Sequence, residues 1–220
     1  MAYIDFLQTV HTRTPRNYVQ RVTEHDKAEC AEVARRFDFD YWDGDRRFGY
    51  GGYHYDGRWV DVAARLAAHY GLSAGARILD IGCGKGFLLH DLRHAVPGAS
   101  VAGLDISAYA LEHAMSDVGG SVVRATAGRL PFADRSFDLV VSINTLHNLR
   151  VAELDLAFRE IERVGRGASY VVLDAFRNER EKVNLMYWQL TCQCFYMPED
   201  WHWWFDHTGY SGDHSFVYFE

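Results

Sequence analysis

The stretch "LDIGCGKGF" sets three glycines, Gly82, Gly84 and Gly86, between a short apolar run and a helical pattern. Glycines in this G-x-G-x-G spacing let a strand-to-helix turn bend sharply and let a ligand come close to the backbone. Asp80 precedes them, and Asp105 closes the next apolar run in "GLDIS", where a carboxylate can accept both hydroxyls of a ribose. The turn and the two acids together predict a cofactor that contains a ribose.

Two common nucleotide-binding motifs do not fit this turn. Nicotinamide and flavin folds prefer G-x-G-x-x-G, and Phe87 stands where their third glycine would be. A phosphate-binding P-loop is excluded because no G-K-[ST] follows. A nicotinamide-dependent oxidoreductase is therefore a disfavoured alternative.

Outside the turn, the main candidate for catalysis is His147 in "NTLHNL", directly after another apolar run. Ligands of open parallel sheets bind at the carboxyl ends of the strands, and an imidazole with a pKa of about 6.5 suits proton uptake at neutral pH. His147 is thus a candidate general base. The simpler alternative is that it lines the cofactor pocket or caps the next helix. Cys83, inside the turn, is interpreted as lining the pocket rather than as a nucleophile.

The elements that must position these residues alternate from residue 76 onward. Apolar runs alternate with amphipathic runs, which predicts a parallel sheet with right-handed crossovers and helices on both faces. The fold class is therefore α/β, doubly wound, with an N-terminal helical cap and an aromatic C-terminal extension. The predicted strands are 76–82, 100–106, 121–127, 136–146 and 168–176, with 214–220 as an edge strand.

The segment before the sheet is predicted to be helical. Residues 18–37 form an amphipathic pattern, with Val22, Ala28, Val33 and Phe37 as expected buried positions. A second helix is predicted after Asp56, a candidate N-cap, and before Gly71, a candidate stop. Residues 1–60 are interpreted as a cap or lid and residues 61–220 as the cofactor-binding domain, in one structural unit.

Composition narrows the function classes. The 220 residues suit one domain, and the net charge of -7 without a basic block makes nucleic acid an unfavoured partner. Apolar runs are far shorter than the roughly 20 residues of a membrane span. Four scattered cysteines suggest neither a disulfide framework nor a metal site. The opening residues lack the apolar core of a secretory signal, so a cytoplasmic location is expected.

Residues 76–176 resemble the cofactor-binding core of class I S-adenosylmethionine-dependent methyltransferases. "ILDIGCGKG" is similar to that family's first motif, "GLDIS" to its second, and "RLPFADRSFDLVVSINTLHNL" to the stretch that leads through its fourth strand. The resemblance implies a mostly parallel, seven-stranded sheet whose last strand is antiparallel, for which "HSFVYFE" is a candidate. It also implies S-adenosylmethionine as the cofactor.

The resemblance assigns cofactor contacts to individual positions. Gly82 and Gly84 would pack under the methionine and ribose, Asp105 would hold the ribose hydroxyls, and Asn144 would offer its carbonyl to the cofactor's amino group. Where many relatives have an acid for the adenine amino group, this sequence has Thr126. The full set of expected cofactor-binding residues is Asp80, Gly82, Cys83, Gly84, Gly86, Asp105, Ile106, Thr126, Ala127, Gly128 and Asn144.

The glycine- and tyrosine-rich segment "FGYGGYHYDGRW" lies where many relatives have a lid over cofactor and acceptor. Tyrosine rings there would stabilise a sulfonium cation, and Tyr53 is the candidate for that catalytic role. Tyr50, Tyr55, Arg58 and Trp188 are the expected substrate contacts. The alternative is a small strand of alternating tyrosines, with Arg58 serving the following helix.

The expected activity is transfer of a methyl group from S-adenosylmethionine to an oxygen, or a nitrogen, of a small polar molecule. A vaguer similarity to small stand-alone bacterial enzymes suggests a surface-polysaccharide or secondary-metabolite pathway. Two alternatives stay open: an N-methyltransferase acting on an amine or a peptide side chain, and an inactive cofactor-binding regulatory protein. A homodimer is a further possibility that the sequence leaves open.

Overall fold

The computed structural model describes residues 1–11 and 16–220. Within these residues the centre of the molecule is one six-stranded sheet with the strand order β3-β2-β1-β4-β5-β6. The strands are β1 (Arg77–Ile81), β2 (Ser100–Asp105), β3 (Val122–Arg124), β4 (Phe137–Ile143), β5 (Gly165–Asp174) and β6 (Asp213–Val217). The α-helices are α1 (Gln8–His11), α2 (Tyr18–Thr23), α3 (Lys27–Ala34), α4 (Phe39–Trp42), α5 (Val60–His69), α6 (Phe87–Ala95), α7 (Ala108–Glu112), α8 (Val151–Val164), α9 (Glu179–Trp188) and α10 (Pro198–Thr208).

Helices cover both faces of the sheet, which confirms the doubly wound prediction. One apolar core includes Phe158 of α8 and Trp201 of α10, packed on one face. The other core includes Leu66 of α5, Leu89 of α6 and Leu185 of α9, packed on the opposite face. Because the central strands are buried on both faces, they are continuous apolar runs, which made them recognisable in the sequence.

The last strand differs from the prediction in its direction. β6 pairs with β5 in parallel, with Tyr170 opposite Asp213 and Leu173 opposite Phe216, so the expected antiparallel strand over 214–220 is wrong. The physical reason is that α10 carries the chain across one face of the sheet before β6 begins, and such a crossover brings a strand back in parallel. Tyr3 forms a parallel bridge with His214 at the outer side of β6.

The N-terminal helical segment also differs in detail. The single helix predicted over 18–37 is two helices, α2 and α3, because Asp26 caps the start of α3 by accepting hydrogen bonds from two backbone N–H groups. The buried positions of α3 are Cys30, Ala31 and Ala34 rather than the expected Val22, Ala28, Val33 and Phe37. Asp56 does not cap α5, whose N-cap is Trp59; the α5 stop at Gly71 is confirmed by its left-handed φ of 60°.

The parallel arrangement determines where a site can form. β1, β2, β4 and β5 all end at the same edge of the sheet, so the residues that follow them meet there. Residues of the N-terminal segment, Trp42 among them, pack over this edge. No helix in the described ranges is both long and apolar enough to span a bilayer. The division of the chain at residue 60 stays a prediction.

Candidate active site

The glycine turn after β1 forms the floor of a cavity of 510 Å³. Gly82 and Gly84 have left-handed φ values of 82° and 53°, which favour glycine. A Cβ atom at Gly82 would lie 2.1 Å from the Thr145 hydroxyl oxygen, and one at Gly84 would lie 2.9 Å from the Trp42 ring. Both positions therefore require glycine for close packing as well as for conformation.

Two buried carboxyl groups face this cavity. Asp105, at the end of β2, accepts hydrogen bonds from the Gly84 and Ser107 backbone N–H groups, each at 2.8 Å. Asp80 accepts no hydrogen bond from the described residues, and burial together with the charge of Asp105 raises its pKa to about 8. Burial raises the pKa of Asp105 too, while its backbone hydrogen bonds oppose the shift. Two acids without a cationic partner suit a ligand that brings hydroxyl groups and positive charge.

The far end of the cavity is apolar. Ile106 is 54% exposed and lines this end of the cavity, as does Ala127, which is buried in one of the two apolar cores. Thr126 and Gly128 complete this wall next to α8. Such a surface suits the flat face of an adenine ring.

Asn144 connects this cavity to a second one. It follows β4 with a φ of 55°, an uncommon conformation for a residue other than glycine, and its Oδ1 atom is buried without a hydrogen-bond partner. Asn148, one turn later, also has a buried Oδ1 without a partner. Both residues line both cavities, so two unsatisfied amide oxygens lie where the two spaces meet.

The N-terminal segment closes over the glycine turn through an ion pair. Both carboxylate oxygens of Asp43 accept hydrogen bonds from Lys85 Nζ, at 2.7 and 2.6 Å, and Lys85 also donates to the Tyr53 carbonyl. Tyr109 donates a further hydrogen bond to Asp43. Burial alone would raise the pKa of Asp43, but these hydrogen bonds lower it to about 2. The Asp43–Lys85 pair thus fastens the segment to the turn.

Aromatic rings of the same segment form the roof of the site. Trp42 and Tyr50 stack with centroids 5.5 Å apart, and Tyr50 and Tyr53 lie 4.5 Å apart. Tyr53 also stacks on Phe87 at the start of α6. Tyr50 and Tyr53 line both cavities, which places these two predicted residues over the junction.

The second cavity, of 330 Å³, lies beyond the ends of β4 and β5. His147 and Asp174 form its floor and are almost fully buried. His147 Nδ1 accepts the Asp174 backbone N–H at 3.1 Å, and His147 Nε2 lies 3.3 Å from the Asp174 carboxylate oxygen Oδ2. Gln189 donates to the same oxygen at 2.5 Å. The Nδ1 atom of His147 is therefore occupied by a hydrogen bond, and its Nε2 atom lies next to the Asp174 carboxylate.

Most of the residues expected at the site come together. All expected cofactor residues except Gly86 line the larger cavity; Gly86 instead caps α6. Tyr50, Arg58 and Trp188 line the smaller cavity, and their contact with a substrate stays a prediction. Tyr55 lines neither of the two cavities, because its hydroxyl donates to Asp91 of α6 at 2.6 Å.

Sequence reasoning missed several residues at the site. Asp174 ends an apolar run in the same way as Asp105, so the same signal would have found it. Trp42 and Asp43 lie before the glycine- and tyrosine-rich segment "FGYGGYHYDGRW", and no motif around them indicates a role at the site. Arg16, Arg21 and Arg46 are far apart in the sequence, and only the fold brings them to the second cavity.

Comparisons with known proteins agree with this arrangement. Residues 79–173 match the family model described as a methyltransferase domain. The matched range runs from β1 through β5 and includes both acids, the glycine turn and Asn144. This part of the chain, fewer than half of its 220 residues, is thus similar to a methyltransferase domain.

Two curated relatives and one solved structure illustrate the methyltransferase similarity. The chain is 38% identical over 95 residues to a malonyl-[acyl-carrier protein] O-methyltransferase of Legionella pneumophila, covering 41% of this chain and 33% of that protein. It is 31% identical over 137 residues to a demethylmenaquinone methyltransferase of a Roseiflexus species, covering 60% of this chain and 56% of that protein. The YcgJ protein from Bacillus subtilis has the same fold, with a TM-score of 0.55, 22% identity and coverage of 70% of this chain and 68% of that one.

The chain thus spans between about a third and a little over half of the length of these curated relatives. The match to a methyltransferase domain implies S-adenosylmethionine as the cofactor. The larger cavity fits S-adenosylmethionine. The volume of the cavity lies in the usual range for ligand pockets. Its two buried acids lack a cationic partner, and the unpaired amide oxygen of Asn144 lies at the junction with the second cavity.

Proposed function

We propose that the protein transfers a methyl group from S-adenosylmethionine to an oxygen, or a nitrogen, of a small polar molecule. The observation that carries the proposal is the junction of two cavities at Asn144, Asn148, Tyr50 and Tyr53. The larger cavity is lined by the residues expected to bind the cofactor, and the smaller one is lined by polar groups that would hold an acceptor. Holding an acceptor atom in line with the reacting methyl supplies most of what such a displacement requires.

The cofactor, when bound, supplies an electrophilic methyl group on a sulfonium. Asp105 would hold the ribose hydroxyls, and Asp80, with its raised pKa, would gain a favourable partner in the ligand's positive charge. Tyr50 and Tyr53 would set aromatic rings over the junction and favour a cation there. The amide oxygens of Asn144 and Asn148 would accept hydrogen bonds that the described residues leave unmade.

A hydroxyl acceptor must lose its proton, and Asp174 is the favoured group to take it. Its Oδ2 atom is held by His147 and Gln189, while its Oδ1 atom accepts no hydrogen bond from the described residues. Burial raises the pKa of Asp174, which makes its carboxylate a better base than an exposed one. In this arrangement His147 is a positioning residue for Asp174. The role of His147 as the general base stays a prediction, and in that role the imidazole would have to give up one of its two contacts with Asp174.

The enclosed, aromatic roof favours a small molecule over a polypeptide, which would need an open groove. Two relatives are named a malonyl-[acyl-carrier protein] O-methyltransferase and a demethylmenaquinone methyltransferase, and neither name indicates an amine as the acceptor. A surface-polysaccharide or secondary-metabolite pathway, a cytoplasmic location and a homodimer stay predictions.

Calorimetric titration with S-adenosylhomocysteine, followed by turnover of labelled S-adenosylmethionine with a metabolite pool, tests the proposal. We expect micromolar binding and transfer of label to a small molecule. Binding of NAD without binding of S-adenosylhomocysteine would favour the oxidoreductase alternative. Binding without label transfer to any metabolite or peptide would favour an inactive regulatory protein, and label in peptides alone would favour a peptide methyltransferase.

A further inference from the structure

Three arginines lie against one indole in the lining of the second cavity. The guanidinium carbons of Arg16, Arg21 and Arg46 lie 5.8, 5.3 and 5.4 Å from the centroid of the Trp188 ring. All four residues line the cavity. Stacking on an aromatic ring holds a guanidinium in place while leaving its edge free for a planar anion.

These guanidinium groups form no ion pair among the described residues, although the charge of Arg16 acts to lower the pKa of Asp174. Arg21 donates to the Arg46 carbonyl at 2.9 Å, and Arg46 donates to the Gly49 carbonyl. The Nε atoms of Arg16 and Arg21 are buried without a hydrogen-bond partner. By contrast, Arg58 on the same cavity makes an ion pair with Asp56 at 2.8 Å.

Unpaired cations are unexpected in a chain with 30 acidic and 23 basic residues. The acids nearest in the sequence are engaged elsewhere: Asp45 with Arg47, and Glu24 with Gln20. The carboxyl group inside the cavity, that of Asp174, is held by His147 and Gln189. The cluster therefore keeps donors available for a ligand.

The local electrostatics point the same way. Burial and the neighbouring Arg46 lower the pKa of Arg21. Burial also lowers the pKa of Lys27 to about 8, and Arg21 adds to that shift. Like charges that repel one another in a partly desolvated site are stabilised when an anion binds between them.

We infer that the second cavity binds an acceptor that carries a carboxylate or phosphate group, held by the guanidinium groups of Arg16, Arg21 and Arg46. The inference deepens the proposed function and rests on it, since it names the chemical class of the acceptor. The anion would anchor the molecule at the Trp188 end of the cavity, and the atom to be methylated would lie toward Asn144 and Asp174.

The cofactor carries a carboxylate of its own, which is a second possible source of the same chemistry. Lys85, the cation of the glycine turn, is engaged by Asp43 and is thus unavailable to that carboxylate. The test must therefore separate an acceptor anion from the cofactor's carboxylate.

The experiment titrates malonate and inorganic phosphate into the full chain already saturated with S-adenosylhomocysteine, monitored by calorimetry. The Arg21→Gln/Arg46→Gln double variant is compared with Arg166→Gln, which alters a surface arginine paired with Asp138. We expect at least one probe to bind the wild type, with affinity falling as salt rises. The double variant should lose about 10- to 100-fold of that affinity and the control none.

The cofactor arm repeats the titration with S-adenosylhomocysteine alone. An unchanged affinity in the double variant supports an acceptor anion, whereas a parallel loss would assign the arginines to the cofactor's carboxylate and overturn the inference. Failure of both probes to bind the wild type would overturn it as well. Should the double variant not fold, Arg21→Gln alone is used. Anion binding in a chain that does not bind S-adenosylhomocysteine would refute the proposed function instead.

Discussion

His147 and Asp174 contact each other twice. The imidazole accepts the Asp174 backbone N–H through Nδ1, at 3.1 Å, and Nε2 lies 3.3 Å from the Asp174 carboxylate. Because Nδ1 accepts a hydrogen bond, the ring proton is on Nε2, and the neutral ring is the form that satisfies both contacts. Burial lowers the pKa of His147, in keeping with that neutral form.

This relationship predicts different outcomes for the two residues. Asp174→Asn should lower kcat by about 100-fold for a hydroxyl acceptor, since it removes the base. His147→Gln should have a smaller effect on kcat. Loss of the imidazole N–H, which favours the charged carboxylate, raises the pKa of Asp174 and moves the acidic limb of the kcat/KM profile to higher pH. The measurement is the pH profile of each variant with the identified acceptor.

The opposite pattern would assign catalysis to His147. If His147→Gln abolishes turnover while Asp174→Asn retains most of it, the imidazole is the base and the hydrogen bonds of the free protein rearrange on binding. Thermal melts of both variants are the control, because both side chains are buried and either change lowers stability.

Asp105 is predicted to set the affinity for the cofactor. Asp105→Ala removes the acceptor for the ribose hydroxyls and also two hydrogen bonds that shape the turn, from Gly84 and Ser107. We expect S-adenosylhomocysteine affinity to fall by at least about 10-fold, measured by calorimetry. Asp206→Ala, at an exposed position of α10, is the matched control and should leave the affinity unchanged. Equal affinities in both variants would remove Asp105 from the site.

The local patterns of the sequence predicted the sheet and brought together nearly all of the residues that were expected to bind the cofactor, which line the larger cavity. Both depend on short segments: an apolar run, the glycines of Gly82–Gly86, and an acid at a strand end. The direction of β6 was not predictable in this way, because it depends on α10 and its crossover. That helix was visible only as a tryptophan-rich segment after Pro198.

The second cavity was harder to predict because its residues come from distant parts of the chain. Arg16, Arg21 and Arg46 converge on Trp188 only after the N-terminal segment packs against α9. Trp42 covers Gly84 for the same reason. Tyr55 is the opposite case, a residue that was expected at the site and lies outside it. It belongs to the glycine- and tyrosine-rich segment, but its hydroxyl contacts Asp91 outside both cavities.

The Asp43–Lys85 pair is predicted to stabilise the closed position of the N-terminal segment. Asp43→Asn leaves the Lys85 ammonium, which is 5% exposed, without a counter-charge, and breaking one side of such a pair costs about 3–5 kcal/mol. Denaturant unfolding should report that loss, and S-adenosylhomocysteine should bind more weakly because the roof is less well held. The Asp43→Asn/Lys85→Met double variant should recover much of the stability. If the double variant is as unstable as Asp43→Asn, the loss has another cause.

The same pair has a defined pH dependence. Asp43 has a pKa of about 2 in the folded protein against an ordinary value of 3.8, so its contribution is complete above pH 4. It is lost as the pH falls toward 2, since the unfolded chain binds the proton more readily, and the linked free energy is about 2 kcal/mol. The difference in unfolding free energy between wild type and Asp43→Asn should therefore shrink by about 2 kcal/mol in this range.

A second pH dependence is predicted at His214, in the strand that pairs with both β5 and the N-terminal residues. His214 is buried, its Nδ1 has no hydrogen-bond partner, and its Nε2 lies 3.2 Å from Nε2 of His202. Burial, and then the proximity of His202, lower the pKa of His214 from 6.5 to about 4. A base with a lowered pKa is protonated first in the unfolded chain, so the folded state keeps its full stability above pH 6.5 and loses it as the pH falls toward 4.

The expected loss from His214 over that range is roughly 3 kcal/mol. Free energies of unfolding measured by urea titration at several pH values between 7 and 4 should reveal it. His214→Gln should flatten the dependence. His202→Gln should make the total loss smaller, because removing the neighbouring imidazole brings the folded-state pKa of His214 closer to its ordinary value of 6.5. An unchanged slope in His214→Gln would contradict the assignment, and would place the acid sensitivity on another group.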